Sequence, residues 1–128
     1  MLVSVKAGPY SIRGVSLGGV YTSLQVQELG VVFDAGIPHR AFAATDHLFL
    51  SHAHADHAGA LYALLGIRGL MGKPPPHLYF PKSIEEPLLE TLRLQSRLQR
   101  YELEVVPHPM TPGDTVALRN DLHARAFR

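Results

Sequence analysis

Val3, Val5 and Ala7 alternate with Ser4 and Lys6, and this period of two predicts a strand over residues 2–7. The "GPYSIRG" that follows reads as a turn or loop. In "VYTSLQVQEL", residues 20–29, Leu24 and Val26 alternate with Gln25 and Gln27, a β-rich run punctuated by Gly30. "VVFDAG", residues 31–36, is a short apolar run ending in Asp34 and Gly36. The two runs suit a hairpin whose second strand is buried on both faces. "HLFLS", residues 47–51, is another short buried strand.

From Ala58 the period changes. Leu61, Leu64 and Leu65 stand at i, i+3 and i+4, a helix face, and Gly66, Gly69 and Gly72 leave its end open. "GKPPP" is a break with a stiff proline connector, and "HLYFP" is a strand again. Ser83 with Glu86 three residues later matches a capping box. Pro87 then falls in the first turn or just beyond it, where proline costs less than mid-helix. Ile84, Leu88 and Leu92 line up at i, i+4 and i+8. Arg93, Arg97 and Arg100 lie toward the end that the helix dipole leaves negative, and they read as a solvated face rather than a phosphate grip. "LEVVP" and "TVAL" are strands around the turn "TPGD", and "LHARAF" is a final strand. Strands, helix, strand, helix, strands is an α/β layered order with hairpins, not a strictly alternating parallel sheet.

At 128 residues the chain suits a single domain, residues 1–128, with a real core. The formal charge of +1 supplies no bulk field for nucleic acid or a membrane surface. The absence of cysteine excludes disulfide scaffolds, thiolate zinc fingers and cysteine nucleophiles. The N-terminus carries no signal-peptide apolar run, and no stretch approaches a transmembrane span, so a soluble cytoplasmic protein is expected.

The chemistry concentrates in "SHAHADHAGAL", residues 51–61. His52 and His54 share a face if the segment is extended, and Asp56 and His57 follow where the chain turns into a helix. The natural split is two and two, His52 and His54 on one metal ion, Asp56 and His57 on a neighbour. Imidazole and carboxylate suit zinc, and also iron or manganese. Structural zinc sites are mostly thiolate-rich, so a cysteine-free cluster points to a catalytic site with a position left for water. His47, His77, His108 and His123 read as isolated surface or strand-end residues. Ser51 precedes the cluster without the surroundings of a nucleophile elbow.

His52-Ala53-His54-Ala55-Asp56-His57 resembles the H-x-H-x-D-H signature of the metallo-β-lactamase superfamily, and "GVVFDAG" resembles its strand ending in Asp-x-Gly, here Asp34 and Gly36. The short approach to the motif and the "GALYALL" helix are most similar to the ribonuclease Z branch. The similarity spans roughly residues 20–81. It implies a four-layer αββα sandwich, of which this chain resembles the N-terminal αβ half. It also implies two divalent ions, zinc first, a metal-bound hydroxide as nucleophile, and a phosphodiester such as RNA as substrate. A thioester, lactone or β-lactam substrate, or a non-catalytic half-domain, are the alternatives. Asp56 would bind metal and orient the nucleophile or shuttle its proton. Asp34 would hydrogen-bond around the motif, although an aspartate at a strand end also reads as a turn-former. The family's third metal-binding histidine is expected beyond Arg128, and its later aspartate and last histidine have no counterpart. Half a sandwich leaves a β layer bare, which predicts a homodimer or a docked second half.

Overall fold

The computed structural model describes residues 2–119 and 121–128. A seven-stranded sheet runs in the order β1 (Val3–Ala7), β2 (Tyr10–Leu17), β3 (Tyr21–Val26), β4 (Val31–Phe33), β5 (His47–Phe49), β6 (His77–Pro81), β7 (Val106–Met110). Strands β1 to β4 form an antiparallel meander, and β4 to β7 are parallel. Parallel neighbours need crossovers. These are α1 (Arg40–Ala43), then α2 (Ala55–Ala58) with α3 (Leu61–Leu70), then α4 (Glu85–Gln99). A separate hairpin, β8 (Thr115–Arg119) and β9 (Leu122–Arg125), follows.

The two sheet faces have different partners. Val32, Leu48, Leu78 and Phe80 pack with Phe42 of α1, Leu61, Leu64 and Leu65 of α3, and Leu88 and Leu92 of α4. Val31, Phe49 and Tyr79 point the other way, toward Val116 and Leu118 of β8 and Ala124 of β9. A strand buried on both faces must be apolar throughout, which is why β4, β5 and β6 read as runs rather than alternations. The result is a helix layer, a mixed sheet and a hairpin on the far face, the α/β class expected. The far face is therefore partly covered, where a wholly bare one was expected.

Several local expectations are corrected. "GPYSIRG" is not a loop, because β2 runs through it from Tyr10. The turn shrinks to Gly8 and Pro9, since Ala7 pairs with Tyr10 and Gly8 takes φ +60°. Gly14, which looked like turn punctuation, lies mid-strand against the Ser23 carbonyl and Leu24, where a Cβ has no room. Strand β3 stops at Val26, and Gln27–Leu29 form a 3-10 turn closed by Gly30 at φ +64°. Ser83 does not cap. Lys82–Ile84 make a 3-10 turn, and α4 begins at Glu85 after Ile84 with no side-chain cap bond. Pro87 is still harmless, because the third helical N–H would have had no intrahelical acceptor. Arg100 lies past the helix, in a left-handed cap.

Strand β7 starts at Val106, not at Leu103, whose side chain is buried in the helix-side core. Val106 N–H donates to the Pro76 carbonyl, so the alternate positions Pro107 and Pro109 face away from β6. A proline there sacrifices no ladder bond and blocks further strand addition at the edge. Sequence reading also missed Arg68, only 3% exposed. Its guanidinium donates to the carbonyls of Pro74, Ala43 and Thr45 and to Asp46 Oδ1, tying α3 to the proline connector and to the entry of β5. That bond holds the Asp46 carboxyl below its usual range.

Candidate metal centre

The motif lies where β4 and β5 end, at the carboxyl edge of the parallel half of the sheet, where open α/β sheets place ligands. Asp34 follows β4 with φ +68°, a left-handed backbone unusual for a non-glycine residue. Its N–H donates to Phe49 O at 2.7 Å, so it stays zipped to β5 while its side chain turns under the motif. Asp34 as a residue is 6% exposed. It accepts from Ser51 N–H at 2.7 Å, from Ser51 Oγ at 2.9 Å to each oxygen, and from His57 Nδ1 at 2.8 Å.

Backbone bonds lock the same segment to the motif. Ala35 N–H donates to His57 O at 2.6 Å, and Ala60 N–H donates to Ala35 O at 2.8 Å. Gly36 sits against backbone atoms of Thr22 and Asp56, so a Cβ would strike main chain on two sides. Aspartate and glycine two apart are thus explained separately, one by donors to satisfy and one by lack of space.

His52 and His54 lie in the extended stretch before α2, with ring centroids 4.7 Å apart. His54 is the N-cap of α2, and Asp56 and His57 occupy that single turn. Ligand-type atoms of His52, His54 and Asp56 all lie within 4.8 Å of one another. His57 Nε2 is 3.3 Å from Asp56 Oδ2, and the His52 and His57 rings are 4.1 Å apart. Asp56 therefore lies beside its expected partner His57 and also reaches the expected pair His52 and His54. Its Oδ2 also accepts the Gly19 N–H at 3.1 Å, from the turn between β2 and β3.

Donor accounting tests whether these residues fit a metal ion. Asp34 accepts from His57 Nδ1, so that nitrogen carries the proton and Nε2 presents a lone pair. This lone pair faces the carboxylate oxygen of Asp56, another acceptor. Two acceptors at such a distance repel unless a proton or cation stands between them. Neutral imidazoles and a carboxylate around one point are the donor set of a divalent zinc, iron or manganese ion. The residues fit.

The model of the metallo-beta-lactamase superfamily matches residues 43–123. The chain belongs to that superfamily. Three of its relatives carry tRNase Z or ribonuclease Z names. A chloroplastic tRNase Z of Arabidopsis thaliana is 40% identical over 124 residues, which is 96% of this chain and 35% of the relative. A nuclear ribonuclease Z of Triticum aestivum is 37% identical, over 93% of this chain and 68% of the relative. A second tRNase Z of Arabidopsis thaliana is 36% identical, over 93% and 42%. The chain thus spans between about a third and about two thirds of the length of these ribonuclease Z relatives.

The other candidates of this superfamily member sort differently. Ser51, which lacks the surroundings of a nucleophile elbow, contacts both Asp34 and His52, with Oγ 2.8 Å from His52 Nδ1. His47, His77 and His108 are not isolated. They form a half-buried row with Tyr79 on the sheet face opposite the helices. His77 Nδ1 lies 2.8 Å from His108 Nε2, and His47 Nδ1 lies 3.0 Å from Tyr79 Oη. Burial, then repulsion from His77, holds His47 and His108 below the ordinary imidazole range. His123 is exposed on β9, and Arg93 and Arg97 on α4 are exposed as expected. Among the described residues, no helix is long and apolar enough to cross a membrane.

Proposed function

We propose that this chain supplies one half of a two-metal hydrolase site acting on a phosphodiester, RNA being the substrate class that the names of the relatives favour. The observation that carries the reading is Asp56, whose carboxylate lies within 4.8 Å of ligand-type atoms of both His52 and His54 and 3.3 Å from His57 Nε2. His52, His54, Asp56 and His57 would hold two divalent ions, zinc foremost. Such ions, when bound, supply Lewis acidity at the phosphoryl centre and acidify a water at neutral pH.

The chain's own residues do the rest. Asp34 takes the His57 Nδ1 proton in a hydrogen bond and so keeps Nε2 free. Gly19 N–H holds one oxygen of Asp56 and limits the rotation of its carboxylate. Asp56 can orient an attacking water or accept its proton, because it is the one carboxylate in the ligand trio. The four motif residues leave each ion short of a full ligand set, so the active protein needs further ligands, from a second half or a second copy.

Substrate profiling with zinc or manganese tests this on the full-length protein. Hydrolysis of a simple phosphodiester, abolished by a chelator and by Asp56→Asn, is the expected result. Hydrolysis of a thioester or lactam with the phosphodiester left intact would overturn the RNA reading. Failure to bind zinc in a titration would overturn the metal reading.

A further inference from the structure

We propose that Ser51 is a positioning residue that sets the tautomer of His52, so that one buried carboxylate, Asp34, aims two of the candidate metal-binding imidazoles. The consequence rests on the metal reading above, whereas the tautomer itself is a property of the metal-free protein.

Ser51 Oγ lies 2.9 Å from both oxygens of Asp34 and 2.8 Å from His52 Nδ1. A hydroxyl owns one proton. If Oγ gave it to His52, oxygen lone pairs would face both oxygens of the carboxylate at hydrogen-bond distance, with nothing between them. The proton therefore goes to Asp34, and Oγ is left as an acceptor toward His52. His52 Nδ1 must then carry the imidazole N–H, which leaves Nε2 unprotonated. The relay runs from His52 Nδ1–H to Ser51 Oγ–H to Asp34. Beside it, His57 Nδ1–H donates to Asp34 directly. The two histidines are thus held in the same tautomer by one acid, one directly and one through a hydroxyl.

Ser51 is exposed, so packing does not require a serine there. What distinguishes the position is the hydroxyl, reinforced by the Ser51 N–H bond to Asp34 Oδ1 at 2.7 Å, which survives side-chain replacement. Ser51→Ala removes only the relay atom. Ser51→Thr keeps it.

Long-range 15N–1H NMR of the metal-free 128-residue chain, above the histidine titration range, reads each tautomer. His52 and His57 are both expected as Nδ1–H in the unaltered chain. In Ser51→Ala, His52 should pass to a mixture set by water while His57 stays Nδ1–H. Ser51→Thr should restore His52. Zinc affinity should fall about 10–100-fold in Ser51→Ala and recover in Ser51→Thr. An Nε2–H tautomer for His52 in the unaltered chain would overturn the proposal without any variant. So would an unchanged His52 spectrum in Ser51→Ala. Expected tautomers in the chain together with a full-length protein that binds no zinc would overturn the metal reading and leave the relay standing.

Discussion

Asp34 does more at this site than any other single residue outside the ligand motif. Its buried carboxylate takes donors from Ser51 N–H, Ser51 Oγ and His57 Nδ1, and it holds a left-handed backbone to do so. A buried donor without its acceptor loses about 1–3 kcal/mol. Asp34→Ala should therefore destabilise the chain by about that amount in a urea melt, chiefly through the part-buried His57 Nδ1–H. It should also weaken zinc binding at least about 10–100-fold in a titration, because both supported imidazoles lose orientation. A variant that binds zinc as the unaltered chain does would mean that Asp34 only shapes the turn. The ligand motif was legible because its residues are neighbours and their types are chemically restrictive. Ser51 was not, because its partner lies 17 positions away and comes beside it only when β4 pairs with β5.

At the scale of elements, periodicity found β1, the central strands and the helices α3 and α4, and it failed where an element is a single turn, as α1 is, or is interrupted by glycine or proline. Strand β2 carries Gly14 for close approach, and that glycine imitates a turn. Strand β7 hides behind alternating prolines, which only its edge position makes tolerable. The same parallel pairing assembles the row of His47, His77 and His108, and this has a consequence for stability. His47 and His108 have folded values below their ordinary 6.5, chiefly from burial and next from His77, with Asp46 opposing the shift at His47 and Arg68 adding to it. Below that value the unfolded chain binds more protons than the folded one. Stability contributed by the neutral rings is present above pH 6.5 and is lost as pH falls through the folded values. The urea midpoint should therefore drop between neutral and mildly acidic pH. The double variant His47→Gln, His108→Gln should drop less over the same interval. An equal drop would remove the row as a source of pH sensitivity.

For the whole molecule, one face of the sheet is sealed by helices and the other is only partly covered by β8 and β9. Between the sheet and that hairpin lies a cavity of 490 Å³ lined by Phe33, Phe49, Tyr79, Met110 and Phe127. Phe33 is 37% exposed and Phe127 87% exposed. Val3 and Val5 of the edge strand β1 are exposed as well. Apolar surface gathered in this way favours association over a lone molecule in water. Sedimentation of the 128-residue chain should show dimers or larger species whose share rises with concentration. A monomer throughout the accessible range would count against a partner on this face.

The sequence by itself determined the two longer helices α3 and α4, the central strands β4, β5 and β6, and the four ligand-type residues His52, His54, Asp56 and His57. Each is written in the spacing of a few adjacent positions, which is the range over which side-chain periodicity and motif chemistry act. Tertiary structure decided which residues support them. Asp34 meets Ser51 across 17 positions, His77 meets His108 across 31, and His47 meets Tyr79 across 32. These pairings arise from strand order and register, which follow from burying two sheet faces at once and leave no local pattern to read.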